Sequence, residues 1–397
     1  MKVAFLTSGG IAPCLSSSIG RLMYNYSEIN EKVEFIGYLN GYKGLLTNKK
    51  IVLPNSLGDK TSVLYDFGGT FLGNSRIKLT NKKDCIEKGY VKEGQDPLSI
   101  AANQLLSDNI NILHTIGGDD TNTTASDLVD YLKNKNYKLT VVGLPKTIDN
   151  DVYPIAQTLG AYTAAEQSAL FFKNIVNENT TSSRQLIIHE VMGRNCGWLT
   201  AYSAFLYRNN FLTKMNFIDE FNLKEKQWDI HSIYIPEDNF DLKKECIRLN
   251  RIMDKYDCVN IFLSEGAGVE NIILEKEKNN EKIKRDAFGH VRLDELNPGN
   301  WYASYFKKHL RADKVLVQKS GYFSRSAAPN SDDLKLIFSH ADYAVKQAVL
   351  GNSGVVGIDE KENKISCIKF SRIKGHKPFN VKLDWYIDLK KKIGQNN

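Results

Sequence analysis

The sequence lacks an apolar run of the ~20 residues needed to cross a bilayer. Its first residues, Met1–Leu6, lead directly into a glycine turn, which predicts an opening strand rather than a signal peptide. The six cysteines are scattered and form no C-x-x-C pair, so neither a zinc site nor a disulfide framework is predicted, and a reducing cytoplasm is the expected location. A G-x-x-x-x-G-K-[ST] loop is also missing, which disfavours an ordinary P-loop enzyme.

The composition is that of an ordinary globular protein. A chain of 397 residues predicts two domains, and 42% apolar with 25% charged residues is enough to build a substantial core. The net charge is +7, but the basic residues are spread along the chain without a basic helix or an aromatic platform. Binding to nucleic acid is therefore not expected, whereas attraction of anionic substrates is.

Short apolar runs alternate with helical patterns along most of the chain, which predicts parallel sheets covered by helices. In such sheets ligands bind beyond the carboxyl ends of the strands. The predicted strands are Val3–Leu6, Val33–Tyr38, Ile112–Ile116, Leu139–Leu144, Leu186–Val191, Val259–Leu263 and Val315–Val317. The predicted helices include Leu98–Asp108, Thr123–Lys133, Ala161–Val176, Leu242–Tyr256 and Ala344–Val349.

Two short acidic loops, Gly117–Thr121 and Pro145–Asp151, each follow a predicted buried strand. Together they carry four carboxylates and one lysine to what is expected to be one edge of a sheet. Carboxylates that share a site repel each other, so a cation is expected to hold them together. The loops therefore predict a magnesium-assisted phosphoryl-transfer site.

Two glycine-rich segments, Thr7–Pro13 and Gly68–Arg76, have features of anion-binding loops. Glycines let backbone N–H groups approach an oxyanion, and the helix that follows the first segment favours negative charge at its start. Arg76 ends the second segment with a guanidinium, which binds phosphate in a bidentate manner. Taken singly, the first segment is also explained as a tight strand-to-helix turn, and the second as a turn followed by a structural surface arginine.

Three further strand ends carry polar groups that suit a sugar phosphate. Arg194 follows the strand at Leu186, Glu265 follows the strand at Val259, and Tyr322 and Arg325 follow the strand at Val315. Arginine provides charge for a phosphate, and the carboxylate and the phenol provide hydrogen bonds for sugar hydroxyls.

The chain resembles the phosphofructokinase family, and more closely its pyrophosphate-dependent branch. The resemblance extends from Thr7 to Gly354 and rests on T-S-G-G, G-Y-K-G-L, G-G-T-F-L-G-N-S-R, G-G-D-D-T, P-K-T-I-D-N-D, E-V-M-G-R, G-Y-F-S-R and G-N-S-G. It implies an α/β fold of two similar three-layer domains with mostly parallel sheets and the active site between them. The implied phosphoryl-donor domain comprises residues 1–155 plus roughly 325–380, and the fructose 6-phosphate domain comprises 156–324 plus the C-terminal tail. A homodimer or homotetramer is implied as well.

The resemblance also implies roles for single residues in transferring a phosphoryl group to the C1 hydroxyl of fructose 6-phosphate. Asp149 is the implied base, with Thr147 and Asp151 in the same loop, and Asp119 is the implied ligand of Mg²⁺. Gly10 and Arg76 are implied to contact the phosphoryl donor. The residues implied to hold the sugar phosphate are Met192, Gly193, Arg194, Glu265, Tyr322 and Arg325.

Asp120 and Lys146 bear on the choice of donor, because ATP-using members of the family typically have glycine at both positions. The aspartate would lie where the α-phosphate of a nucleotide goes, and two like charges ~4 Å apart cost about 1 kcal/mol in water and about 4 at an effective dielectric of ~20. Lys146 supplies a cation to pyrophosphate, so pyrophosphate is the expected donor. The alternatives are the same reaction with ATP, a related sugar phosphate such as sedoheptulose 7-phosphate, and a non-catalytic regulatory subunit, which would be expected to lose Asp119 or Asp149.

The sequence departs from the family pattern in three places. Cys14 and Ser16 stand where the family usually has glycine and asparagine, and Ser326–Pro329 replaces a glycine-rich stretch. The arginine that the family contributes from a neighbouring subunit is offset, because Arg184 lies one residue before the matching position, which Gln185 occupies. The histidines at 189, 231 and 290 are expected to be structural or surface residues rather than catalytic ones.

Overall fold

The computed structural model describes residues 1–29, 32–281, 283 and 296–395, with the side chain of residue 59 left out. The chain forms two compact units. The first consists of Met1–Ala164 and Arg325–Lys377, and the second of Ala165–Ser324 and Pro378–Asn397.

The strands and helices alternate along the chain. The strands are β1 (Lys2–Thr7), β2 (Glu34–Tyr38), β3 (Lys50–Leu53), β4 (Ile112–Gly117), β5 (Thr140–Pro145), β6 (Gln185–Val191), β7 (Ser232–Tyr234), β8 (Cys258–Ser264), β9 (Lys314–Lys319), β10 (Gly354–Asp359) and β11 (Lys364–Ile368). The α-helices are α1 (Leu15–Ile29), α2 (Tyr42–Thr47), α3 (Lys82–Glu87), α4 (Pro97–Ser107), α5 (Asp119–Lys133), α6 (Ala161–Ile175), α7 (Trp198–Leu206), α8 (Glu225–Trp228), α9 (Leu242–Tyr256), α10 (Val269–Lys278), α11 (Pro298–Leu310), α12 (Gly321–Arg325), α13 (Ser331–Val349) and α14 (Asp384–Lys392).

The first unit contains a seven-stranded sheet in the order β11-β10-β5-β4-β1-β2-β3. The five central strands are parallel, and β3 and β11 are added to the two edges in antiparallel fashion. Alternate residues of β1 face opposite sides of the sheet. Ala4 and Leu6 pack against the cluster that includes residues of α2, α4 and α5, whereas Phe5 contacts Phe35 and His114, which Tyr26 of α1 covers. Helices therefore cover both faces.

The second unit contains a four-stranded sheet in the order β7-β8-β6-β9, and all its strands are parallel. Leu186 and Ile188 pack with residues of α9 and α11 on one face. His189 and Phe262 lie against Phe172 of α6 on the other. The prediction of two α/β domains with mostly parallel sheets is confirmed.

All seven predicted strands are present, with ends that shift by one or two residues. One predicted helix differs in a way that matters for the site: α5 begins at Asp119 and not at Thr123. The two aspartates of the G-G-D-D-T loop thus form the first helical turn, where negative charge interacts favourably with the free backbone N–H groups. Among the described residues, every helix is too short or too polar to span a membrane.

Candidate active site

Three glycine-rich or acidic turns of the first unit meet at one edge of its sheet. Strands β5, β4 and β1 are neighbours and parallel, so their carboxyl ends lie side by side. The backbone N–H of Lys146, just after β5, donates to the carbonyl of Gly117 at 2.9 Å. Its side-chain Nζ donates to the carbonyl of Gly9, just after β1, at 3.0 Å. Lys146 therefore joins the three turns.

The ammonium group of Lys146 is held in an unusual environment. The residue is 3% exposed. Burial, together with the nearby Arg76 guanidinium, lowers the pKa of Lys146 to about 8, although Cys14, Asp149 and Asp151 act in the opposite direction. The ammonium group of Lys146 has lost the water that would stabilise its charge. A bound anion stabilises that charge in place of the water, so the group is well suited to bind an anion.

Gly10 and Arg76 lie in direct contact. A Cβ atom on Gly10 would be 3.4 Å from Nη2 of Arg76, so the guanidinium covers the glycine turn. Gly10 has φ +101°, a conformation that L side chains rarely adopt. Asn74 fixes this peptide from both sides: Gly10 N–H donates to Asn74 Oδ1 at 2.9 Å, and Asn74 Nδ2 donates to the carbonyl of Gly10 at 3.2 Å. No feature of the sequence predicts this role for Asn74.

The side chains of Asp120 and Asp119 contact different parts of the protein, although the two residues are adjacent in the first turn of α5. Asp120 forms an ion pair with Lys78 at 2.8 Å, and its side chain is 61% exposed. Lys78, two residues after Arg76, was not anticipated as its partner. Asp119 instead lies against the backbone at Gly375, where an added Cβ would be 2.0 Å from Oδ2 of Asp119.

The loop that carries Asp149 and Asp151 is fixed by the residue between them. Asn150 is buried and has φ 57°, a left-handed conformation that asparagine tolerates better than most residues. Its Oδ1 accepts hydrogen bonds from the backbone N–H and the hydroxyl of Thr158, at 2.9 and 3.2 Å. The backbone N–H of Asp149 donates to Thr147 Oγ1 at 3.2 Å. An asparagine between two aspartates is a sequence signal for such a turn, and these hydrogen bonds of Asn150 hold it in place.

The carboxylates of Asp119 and Asp151 are close enough to interact electrostatically. Burial, and then repulsion by Asp119, raises the pKa of Asp151, whereas a hydrogen bond from Thr147 lowers it. Among the described residues no group of three or more His, Cys, Asp or Glu side chains could hold a metal by itself. Two mutually repelling carboxylates nevertheless fit Mg²⁺, which usually takes one or two protein carboxylates and completes its coordination with substrate phosphates and water.

A second group of predicted residues meets at one edge of the sheet in the second unit. Strands β8, β6 and β9 are neighbours and parallel, so the turns after them lie side by side. The backbone N–H of Gly193 donates to Glu265 Oε1 at 3.4 Å. The adjacent glycine, Gly266, is packed against the carbonyl of Arg194, where an added Cβ would be 1.8 Å from the oxygen. The side chain of Met192 packs against Gly321, the first residue of α12, with Sδ 3.0 Å from the Cβ position.

Charged groups surround Glu265. Burial, and then repulsion by the neighbouring Glu190, raises the pKa of Glu265, while the Gly193 N–H, Arg194 and Lys319 lower it. Helix α12 presents Tyr322, whose exposed fraction is 79%, and ends with Arg325, which belongs to the first unit. A carboxylate, an arginine and an exposed phenol at adjacent strand ends can bind a polyhydroxylated anion.

Arg184 lies at the opposite end of β6 from Met192. Its guanidinium donates to the carbonyl of Arg311 at 2.8 Å and to Asp254 at 2.7 Å, so partners within its own unit hold the side chain. Gln185, at the position where the family has the arginine, is fully buried.

The other positions at which the sequence differs from the family pattern make local packing contacts and hydrogen bonds. Cys14 is buried with Sγ 3.4 Å from the carbonyl of Leu159, and Ser16 donates from both its N–H and its hydroxyl to the carbonyl of Gly69, each at 3.0 Å. The carbonyl of Ser326 lies against Gly68, 1.9 Å from where a Cβ would be, so this segment supports the loop that carries Arg76.

The structure describes two of the three histidines that are predicted to be structural or surface residues. His189 and His231 are buried, and burial lowers their pKa to about 3 and about 4. His290 lies outside the described residues.

Parallel sheets whose strand ends carry glycine turns, carboxylates, arginine and lysine are typical of α/β proteins that bind phosphorylated ligands. Within that class the chain belongs to the phosphofructokinase family, whose sequence profile matches residues 2–347. A relative from Methylomonas methanica, named pyrophosphate–fructose 6-phosphate 1-phosphotransferase, is 53% identical over 395 residues, which cover 99% of this chain and 96% of that protein. A relative of the same name from Mastigamoeba balamuthi is 50% identical, with 99% and 96% covered.

The fold is also found among solved structures. The pyrophosphate-dependent phosphofructokinase from Marinobacter aquaeolei matches with a TM-score of 0.71 at 19% identity, covering 99% of this chain and 90% of that one. At this identity the match supports the fold alone.

Proposed function

We propose that this protein transfers a phosphoryl group reversibly from pyrophosphate to the C1 hydroxyl of fructose 6-phosphate, giving fructose 1,6-bisphosphate and phosphate in glycolysis. The observation that carries the proposal is the buried ammonium group of Lys146, which is hydrogen-bonded to Gly9 between two acidic turns. The name shared by relatives that are about half identical over their full length supports the same reaction.

In the proposed mechanism Asp149 takes the proton of the C1 hydroxyl while the oxygen attacks the nearer phosphorus of pyrophosphate. A bond forms between the sugar oxygen and that phosphorus, the phosphoanhydride bond breaks, and phosphate leaves with the bridging oxygen. Thr147 orients the loop through its hydrogen bond to the Asp149 N–H, and Asp151 flanks it. Arg76 and Lys146 stabilise the negative charge on the phosphoryl group during its transfer, as positioned cations do in such reactions.

Asp119 is the proposed protein ligand for Mg²⁺. Asp151 lies close enough to Asp119 for the two carboxylates to repel each other. A bound Mg²⁺ would neutralise part of the charge of pyrophosphate and orient its oxygens. Gly10 contributes to the donor site because its lack of a side chain lets the Arg76 guanidinium approach the turn.

The first unit is proposed to bind the donor, and the second unit to bind most of the sugar phosphate. Arg194 is proposed to contact the phosphoryl group or the sugar phosphate, and Glu265 to accept hydrogen bonds from sugar hydroxyls. Met192, Gly193, Tyr322 and Arg325 complete the proposed sugar site.

Pyrophosphate is preferred to ATP in this proposal because Asp120 carries negative charge beside the donor site. Its ion pair with Lys78 offsets part of that charge, but both side chains remain partly exposed. Steady-state assays with each donor at saturating fructose 6-phosphate test the preference. We expect faster turnover with pyrophosphate; faster turnover with ATP would refute the donor assignment.

The double variant Asp120→Gly/Lys146→Gly sharpens this test, since it installs the residues implied for ATP-using relatives. We expect the double variant to lose most of its turnover with pyrophosphate. The ratio of the turnover rate with pyrophosphate to that with ATP should therefore become smaller. The single variant Asp130→Gly, on the exposed side of α5, is a control for helix destabilisation by glycine.

The proposed setting is the cytoplasm, with the protein as a homodimer or homotetramer. Six cysteines without a disulfide among the described residues are consistent with a reducing compartment. Light scattering on the purified protein measures the assembly directly.

A further inference from the structure

A short segment near the C-terminus, Lys374–Lys377, lies against the acidic loops although it follows the region that matches the family profile. It pairs with the chain that follows Asp149. Tyr153 N–H donates to the carbonyl of Lys374 at 2.8 Å, and Lys374 N–H donates back to Tyr153 at 3.0 Å. Lys377 N–H donates to the carbonyl of Asp151 at 2.8 Å.

The same segment contacts the other acidic turn through Gly375. An added Cβ there would be 2.0 Å from Oδ2 and 2.6 Å from Cγ of Asp119, so the carboxylate occupies the space that a side chain would need. Gly375 does not adopt a left-handed conformation. The requirement for glycine therefore comes from the carboxylate of Asp119 and not from the backbone dihedral angles.

The far end of the segment is anchored by Lys377. Its Nζ donates to the carbonyl of Ile155 at 2.6 Å and pairs with Glu360 at 2.8 Å, and its side chain is only 15% exposed. Between the two contacts, His376 has φ 60° and lies near enough to Asp151 to favour its ionised form. A single four-residue segment thus touches both acidic turns and is fixed at its end.

We propose that Lys374–Lys377 is a positioning element of the donor site, which holds Asp119 and the Asp149–Asp151 loop in a fixed relation and thereby sets the affinity for magnesium pyrophosphate. The inference rests on the proposed function for its ligand. A supporting contact of this kind matters because a displacement of ~1 Å at a reacting group can cost about 100-fold in rate.

The first test is Gly375→Ala, which adds one methyl group against Asp119. We expect its KM for magnesium pyrophosphate to rise about 10- to 100-fold while its KM for fructose 6-phosphate stays within about twofold. The matched control is Gly58→Ala, whose new Cβ would meet only the Ser27 side chain at 3.1 Å or more. An unchanged pyrophosphate KM in Gly375→Ala, or an equal rise in both KM values, would overturn the proposal.

The second test does not depend on turnover. In a thermal double-mutant cycle, Gly375→Ala should lower the melting temperature of the wild type but have little effect in an Asp119→Ala background, because the clashing carboxylate is gone. Equal destabilisation in both backgrounds would show that Gly375 does not act through Asp119.

Binding of pyrophosphate with Mg²⁺ is measured in parallel as a ligand-induced rise in melting temperature. The rise should be smaller in Gly375→Ala than in the wild type and unaltered in Gly58→Ala. An equal rise in Gly375→Ala and the wild type counts against the positioning role. A wild type that shows no rise and no turnover refutes the proposed function instead, while the double-mutant cycle still tests the contact.

If Gly375→Ala does not fold, Lys377→Met replaces it, since that variant removes the two anchoring contacts and keeps the length of the side chain. It should likewise weaken the binding of magnesium pyrophosphate selectively. Wild-type affinity in Lys377→Met would contradict the proposal.

Discussion

At the residue scale, the side chain of Lys146 in the donor site has an environment very different from that of a lysine side chain in water. It is buried, hydrogen-bonded to a carbonyl and close to Arg76, and its pKa is lowered to about 8. We expect kcat/KM for pyrophosphate to fall as pH rises above about 8, because the free enzyme then loses the ammonium charge. Steady-state rates between pH 6.5 and 9.5 measure this fall, which is the alkaline limb of the pH profile.

The variant Lys146→Arg is the matched test of that assignment, since a guanidinium stays charged throughout this range. If it retains activity, its profile should lack the limb near pH 8. The limb should also be absent from kcat, because bound pyrophosphate favours the charged lysine. A limb that persists unchanged in Lys146→Arg would assign the titration to another group.

Asp149 gives a second prediction at this scale. We expect Asp149→Asn to lower kcat by about 10² to 10⁴, because the amide cannot accept the proton of the sugar hydroxyl. Binding of fructose 6-phosphate, measured by titration calorimetry, should change by less than about threefold, since the amide has the shape of the carboxylate and its oxygen can still accept a hydrogen bond from the sugar hydroxyl. The exposed Asp130→Asn is the control, and a wild-type rate in Asp149→Asn would exclude Asp149 as the base.

Sequence alone could indicate which residue types cluster in each loop, but not which partners they take. The sequence pattern predicts the negative charge of Asp120 but not its ion pair with Lys78 at 2.8 Å. No role is predicted for Asn74, and its two hydrogen bonds to Gly10 join positions 64 apart in sequence. Gly375 carries no local signal at all, because the group that requires a glycine there is a carboxylate more than 250 residues earlier.

At the element scale, the central parallel strands were predictable because they are buried on both faces and read as continuous apolar runs. The strands that were missed lie at sheet edges or are interrupted. Strand β7 has three residues, β10 contains two glycines, and β3 and β11 are antiparallel edge strands with mixed burial. Edge strands have solvent on one side, so their sequences are less constrained.

A buried chain of hydrogen-bonded side chains links β6, α6 and α12, and it gives a prediction at this scale. His189 Nε2 on β6 lies 2.8 Å from Ser320 Oγ, which donates to Ser168 Oγ at 3.2 Å. Ser168 Oγ is in turn 2.7 Å from Ser324 Oγ on α12, the helix that carries Tyr322. This chain fixes α12 relative to the sheet.

We expect Ser320→Ala to destabilise the protein by about 1 to 3 kcal/mol, because it leaves a buried imidazole nitrogen without its partner. Because α12 carries Tyr322, KM for fructose 6-phosphate should also rise while KM for pyrophosphate does not. Urea denaturation and steady-state kinetics measure the two effects. Ser304→Ala, which removes an exposed helix hydroxyl, should change neither, and equal effects of the two substitutions would contradict the role of the chain.

At the scale of the whole molecule, four of the six histidines among the described residues are buried in the cores of the two units. Burial lowers the pKa of His114, His231 and His340 to about 4 and that of His189 to about 3. Each is neutral when folded and has an ordinary pKa near 6.5 when unfolded. Below pH 6.5 these four side chains therefore bind more protons in the unfolded chain than in the folded one.

The free energy of unfolding should consequently be nearly constant from pH 7 to 8 and fall steeply from pH 6.5 to 4, by up to about 1.4 kcal/mol per pH unit for each buried histidine. Urea midpoints at pH 7.5, 6 and 5 measure the slope. His340→Gln should make it shallower, because one proton fewer is taken up on unfolding, whereas the exposed His309→Gln should keep it. Stability that does not change between pH 7.5 and 5 would show that the buried imidazoles do not control the response to acid.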